Sequence, residues 1–236
     1  MVNFQRKERY GWEDLLTIMH LLRAPGGCPW DREQTHQSIR RNFLEETYEA
    51  LDAIDRDDVP GMKEELGDVL LQVVFHAVME EERGRLDFEQ VCREVCEKLV
   101  FRHPNIFASS AAENAGINSW EALKNKEKGR KTLADELDTV PATLPALMRA
   151  QKLQKRAAAH GVGPADPAGA AAALKAAEAA WDARSAGSAQ QAAGELLLAA
   201  ADAMRLEGVD AEEALTFAAR RFAADAKAAG ADQTNG

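Results

Sequence analysis

"EELGDVLLQVVFHAV", residues 64–78, decides how this chain folds. At the helical period, Leu66, Val69, Leu70, Leu71, Val73, Val74, Phe75 and Ala77 surround most of the circumference, while Glu65, Asp68, Gln72 and His76 make one narrow polar stripe. A helix apolar nearly all round is buried, so the stripe is expected to face something polar inside a bundle. No segment sustains the two-residue alternation of a half-buried strand, and the expected fold is all-α.

The polar partner is sought just upstream, in "FLEETYEALDAI", residues 43–54. Glu45, Glu46, Glu49 and Asp52 share an arc of about 120°, and Phe43, Leu44, Ala50, Leu51 and Ile54 lie opposite. Taken alone this is an amphipathic helix with a wet acidic face. Taken with the next helix, it matches: Glu46 and Glu49 are spaced i,i+3, as are Glu65 and Asp68. Two antiparallel helices joined by a short turn would bring the pairs face to face. Like charges about 4 Å apart repel by about 4 kcal/mol at an effective dielectric near 20, so such a pocket takes up protons or binds cations. All-oxygen ligation suits a hard ion, Mg²⁺ or Mn²⁺ before Zn²⁺.

Around these two helices the punctuation is clear. A first helix is predicted over 12–23, ending at "APGGCPWD", which reads as a tight turn with Trp30 as a packing anchor. The acidic helix runs from near Ser38 to about Asp55, and the next from about Pro60, tolerated in a first turn, to about Arg83. A fourth opens at "DFEQ", where Asp87 and Gln90 suit a capping box, and ends at Pro104. A short helix is predicted at "SWEALKNKEKGRK" and another entering at Pro145 or Ala146.

"EETYE", then fifteen residues, then "ELGD" reproduces an EExxE…ExxD pattern and resembles the MazG-type nucleoside triphosphate pyrophosphohydrolases. The resemblance extends over "GGCPWDREQTH", "GDVLLQVVFHA", "EKLVFRHPNIF" and "LPALMRAQKLQKR", about the first 160 residues. It implies an all-α helical bundle of that pyrophosphohydrolase type, a homodimer, and Mg²⁺-dependent cleavage of a nucleoside triphosphate to monophosphate and pyrophosphate. It implies Glu46, Glu49, Glu65 and Asp68 as metal ligands, with Glu45 either behind those ligands or helping to orient water. A narrower substrate, dUTP, dCTP or phosphoribosyl-ATP, and a non-catalytic nucleotide-binding or regulatory scaffold are the alternatives.

Two cationic pairs are candidates for holding the nucleotide. Lys98 and Arg102, i,i+4 on the fourth helix, would clamp phosphates, or they are solvated charges at a helix end, where cations are favoured anyway. Trp120 and Lys124 repeat the spacing; the indole would stack on a base, or it anchors a short helix. His76 reads as a hydrogen-bonded interior histidine, and Cys92 and Cys96 as buried thiols.

From residue 165 onward about two residues in five are alanine, which favours helix and supplies little core volume. Residues 1–139 are expected to form the catalytic domain and residues 140–236 a degenerate, Ala-rich second repeat. Aligning "AAGELLLAAADAMRL" with the 64–78 stretch at an offset of 127 matches Gly194 to Gly67 and Glu195 to Asp68, but puts Ala192 on Glu65. Upstream only Glu178 remains of the acidic motif. With a formal charge of −10, nucleic acid and anionic membranes are not expected partners. Three cysteines in no secreted-domain spacing, and no apolar run of about 20 residues, lead to a cytoplasmic expectation.

Overall fold

The computed structural model describes residues 4–107 and 132–233, and among these there are helices and no strand. The chain divides into two compact units, Met1–Gly116 and Ile117–Gly236.

In the first unit α1 (Trp12–Arg23), α2 (Pro29–Glu33), α3 (Arg40–Asp55), α4 (Val59–Glu81), α5 (Phe88–Arg102) and the short α6 (Pro104–Phe107) follow one another. The predicted stops hold for local reasons. Asp87 accepts from the Gln90 amide and Gln90 reciprocates at the Asp87 backbone, the expected capping box of α5. Asp58 caps α4 through the Gly61 amide, with Pro60 in the first turn. Asp57, between α3 and α4, has φ of 53°, the left-handed backbone that lets three residues reverse the chain.

The core of this unit gathers Met19 of α1, Ile39, Phe88 of α5 and the second half of α4, Val74 to Met79, with Leu15, Leu16, Leu71 and Val91 packed against it. Each of the larger side chains contributes about 1.5–3 kcal/mol by leaving water. Arg23 fastens α1 to α4: its guanidinium meets Glu82 at 2.7 Å, lies over the Phe75 ring and donates to the Asp31 carbonyl.

Burial departs from the sequence reading in three places. The buried residues of α4 all lie in its second half, from Gln72 to Met79, whereas Leu66 is 50% and Leu70 40% exposed. Trp30 is no anchor: the turn contains the short α2, and its indole is 57% exposed. Cys92 and Cys96 are exposed, because α5 turns Phe88 and Val91 toward the core and this pair away from it.

The second unit contains α7 (Leu133–Asp138), α8 (Ala146–Ala159), α9 (Pro167–Asp182), a 3₁₀ turn at Ala186–Ser188, α10 (Ala189–Leu206) and α11 (Ala211–Gln233). Its buried apolar side chains are mostly alanine, so polar bonds supply much of the specificity. Gln151 donates to the Ala201 and Val209 carbonyls and accepts from the Ala211 amide. Glu212 of α11 accepts from the first amides of α8, those of Leu147 and Met148. Arg156 of α8 donates to the Glu136 carbonyl and the Thr139 hydroxyl, tying α7 to α8. α7 packs on α8 within this unit.

Candidate functional site

α3 and α4 form an antiparallel hairpin, and Ala50 and Ala53 are buried on α3. Small side chains there let the axes approach. The acids on the same face, one turn from Ala50, are then carried toward α4. One carboxylate oxygen from each of Glu46, Glu49 and Glu65 lies within 4.8 Å of the others. Asp68 stands outside that trio but is the first charged neighbour acting on Glu46, and it also acts on Glu65.

The cluster is under-neutralised. Burial, then the charges of Asp68, Glu49 and Glu45, hold the Glu46 carboxyl above its ordinary pKa. Glu65 is raised by burial and by Glu49, Glu64, Asp68 and Glu46. Glu45 is exposed beside them and paired with Arg41 at 2.8 Å. Oxygen donors of one charge type, each raising the others' proton affinity, are the donor set a hard divalent cation would satisfy. Among the described residues no other set of three His, Cys, Asp or Glu side chains converges this way.

Lys98 and Arg102 lie half-buried in the last two turns of α5, which packs on α4. Among the described residues, the charges that act on Glu46 and Glu65 are all carboxylates. Trp120, Lys124 and the predicted helix around them lie outside the described residues.

The stripe on α4 continues past the acids. Gln72 is buried, and among the described residues its Oε1 has no hydrogen-bond partner. His76 is half-buried and hydrogen-bonded, as expected, and its partner is another histidine. His36 Nδ1 and His76 Nδ1 are 2.6 Å apart with the rings parallel within 4°. His36 Nε2 meets Glu80 Oε1 at 2.6 Å, and Arg83 and Arg85 donate to the same oxygen. Together these donors pull Glu80 down to about 2, Arg85 contributing most. Sequence reasoning missed His36; its only signal was its place in the "GGCPWDREQTH" stretch.

A family model, the MazG nucleotide pyrophosphohydrolase domain, matches residues 34–107. A Thermotoga maritima protein named nucleoside triphosphate pyrophosphohydrolase/pyrophosphatase MazG is 40% identical over 215 residues, 89% of this chain and 82% of that one. The chain belongs to the MazG family. An Escherichia coli (strain K12) nucleoside triphosphate pyrophosphohydrolase is 53% identical over 150 residues, 62% of this chain and 57% of the relative. A Mycobacterium tuberculosis protein of the same name is 43% identical over 161 residues, 67% and 47% of the two chains. The chain thus spans little more than half the length of the Escherichia coli relative. The MazG match contains α3, α4, all four acids of the two pairs and both histidines. It ends before Trp120 and Lys124.

Proposed function

We propose that this chain is a Mg²⁺-dependent nucleoside triphosphate pyrophosphohydrolase, with Mn²⁺ able to replace Mg²⁺. The observation that carries the reading is the convergence of Glu46, Glu49 and Glu65 beside Asp68 on the α3–α4 hairpin. The family, and relatives bearing that activity in their names, supply the reaction class.

Glu46, Glu49, Glu65 and Asp68 would hold the cation. The ion, when bound, neutralises the triphosphate and assists attack of water. Glu45, fixed by Arg41, orients that water. Its oxygen bonds to the α-phosphorus, the α–β bridging bond breaks, pyrophosphate leaves, and the displaced proton passes to a site carboxylate. Lys98 and Arg102 receive the β- and γ-phosphates, Trp120 stacks on the base and Lys124 reaches a phosphate.

The reading extends to assembly. Leu44 and Leu51 on α3 and Leu66 and Leu70 on α4 lie open to solvent, and a second copy of the chain would cover them. The net charge argues against nucleic acid or an anionic membrane as partner. No helix among the described residues is long and apolar enough to cross a membrane, and the cysteines are free, in keeping with a cytoplasmic protein. The first domain carries the chemistry and the Ala-rich second is a degenerate repeat.

Incubation with a panel of NTPs including dUTP and dCTP, and with phosphoribosyl-ATP, should release pyrophosphate and monophosphate with Mg²⁺ and none with excess EDTA. Release of inorganic phosphate instead, or cleavage indifferent to chelation, would overturn the assignment.

A further inference from the structure

We propose that His36 and His76 are positioning residues for the carboxylate cluster, a hydrogen-bonded latch that sets where the open end of α3 sits against α4. The inference rests on the reading of Glu46, Glu49, Glu65 and Asp68 as a cation site.

The α3–α4 hairpin is tied at one end by the turn at residues 56–58, where Asp58 caps α4. At the other end Ile39, the N-cap of α3, makes no side-chain capping bond and is held by burial in the core. Between the ends the buried residues on α3 are Ala50 and Ala53, side chains too small to interlock strongly with the grooves of a neighbouring helix. Sliding or splaying of α3 would therefore meet little steric resistance from that seam. It would directly change the distance from Glu46 and Glu49 to Glu65.

The latch lies at the Ile39 end and adds hydrogen bonds to that apolar anchor. His36 belongs to the segment leading into α3, three residues before the buried Ile39. Across from it His76, on α4, meets the His36 ring by a 2.6 Å nitrogen–nitrogen contact and lies 5.8 Å from the Phe43 ring, one turn before Glu46 on α3. Glu80, one turn further along α4, takes the other nitrogen of His36 and is itself held by Arg83 and Arg85. The neighbouring charges from α1, His20 and Arg23, are engaged with Glu81 and Glu82.

The proton inventory makes this contact directional. Glu80 is ionised, so His36 Nε2 carries a hydrogen and donates it. Two ring nitrogens 2.6 Å apart share one hydrogen, so one Nδ1 donates and the other accepts. An asparagine at position 76 carries an amide near the place of Nδ1 and can make the same bond; leucine fills similar space and cannot.

The experiment is a Mn²⁺ titration of the full chain, reading free Mn²⁺ by electron paramagnetic resonance, with helix content checked by circular dichroism. His76→Leu should weaken Mn²⁺ binding about fivefold, the effect of one ordinary hydrogen bond lost. His36→Gln, which keeps the bond to Glu80 and drops the one to His76, should do the same from the other side of the contact. His76→Asn should bind within about twofold of wild type, since it restores the bond. Wild-type binding with unchanged affinity in a folded His76→Leu or His36→Gln chain would overturn the latch alone, as would His76→Asn behaving like leucine. A wild-type chain that fails to bind Mn²⁺ would overturn the reading of the carboxylate site, and the latch with it.

Discussion

At Glu46, burial and the charges of Asp68, Glu49 and Glu45 act in the same direction, raising the carboxyl above its unfolded pKa. The folded chain then binds that proton more tightly. The contribution to stability is fully present below the unfolded pKa and is lost as pH rises through the folded one. In metal-free buffer Glu46→Gln, which cannot ionise, should melt higher than wild type near pH 7.5, with the gain shrinking toward pH 4. An equal difference at both pH values would show that the charge crowding does not matter. The same substitution, or Asp68→Asn, should lower turnover at least about tenfold with the fold intact, as loss of a charge-stabilising contact does. His76 runs the other way. Burial and the His36 charge depress its pKa, so its contribution is full above the ordinary value near 6.5 and is lost as pH falls below it. Wild type should lose melting temperature between pH 6.5 and 5 more steeply than His76→Asn; identical slopes would contradict the depressed pKa. The acids were legible because their spacing repeats on two helices. His36 was not, because a residue in an irregular segment has no period to reveal its neighbours.

Among the elements, the α3–α4 hairpin does most to make the site. Ala53 is 1% exposed, and a leucine there has no room. Ala53→Leu should cost about 1–3 kcal/mol in urea unfolding, the range for overpacking a tight seam, and should also separate the acid pairs and weaken Mn²⁺ binding. Binding unchanged in a destabilised but folded variant would mean that the helices can part without disturbing the cluster. The apolar pattern of α3 misled in one respect. Leu44 at 55% and Leu51 at 48% exposure lie outward, while the acid-bearing side faces α4, so this helix is turned the opposite way from an ordinary amphipathic one. Periodicity locates a face, and it does not say which neighbour the face meets. Helix ends were better specified: α1 falls on its predicted 12–23, and the Asp87 capping box forms, because these depend on residues within one turn.

At the scale of the whole molecule, the outward leucines bear on assembly. Leu44→Glu combined with Leu51→Glu should shift the chain from dimer to monomer by light scattering, because paired charges cannot be buried across a symmetric contact at acceptable cost. A chain monomeric before the change, or dimeric after it, would move the interface elsewhere. The two units also divide the acids unequally. Glu178 and Glu195 are both exposed and join no converging set among the described residues, and two carboxylates leave most of the near-octahedral shell of Mg²⁺ to water. Replacing both by alanine should leave turnover nearly intact, whereas Glu49→Ala with Glu65→Ala should abolish it. A dead but folded Glu178/Glu195 variant would place the chemistry in the other unit.

The sequence by itself determined the all-α class, most helix limits of the first unit, and the residues of the acid cluster, all of which depend on spacing along a helix of known pitch. Tertiary structure alone decided that Glu46, Glu49 and Glu65 converge while Asp68 acts from beside them, that half of α4 stays uncovered, and that α7 joins the second unit. It alone brought His36 to His76, forty positions apart. Contacts between distant segments depend on how helices pack and on which surfaces are left without a neighbour, and neither is a property of any one helix's sequence.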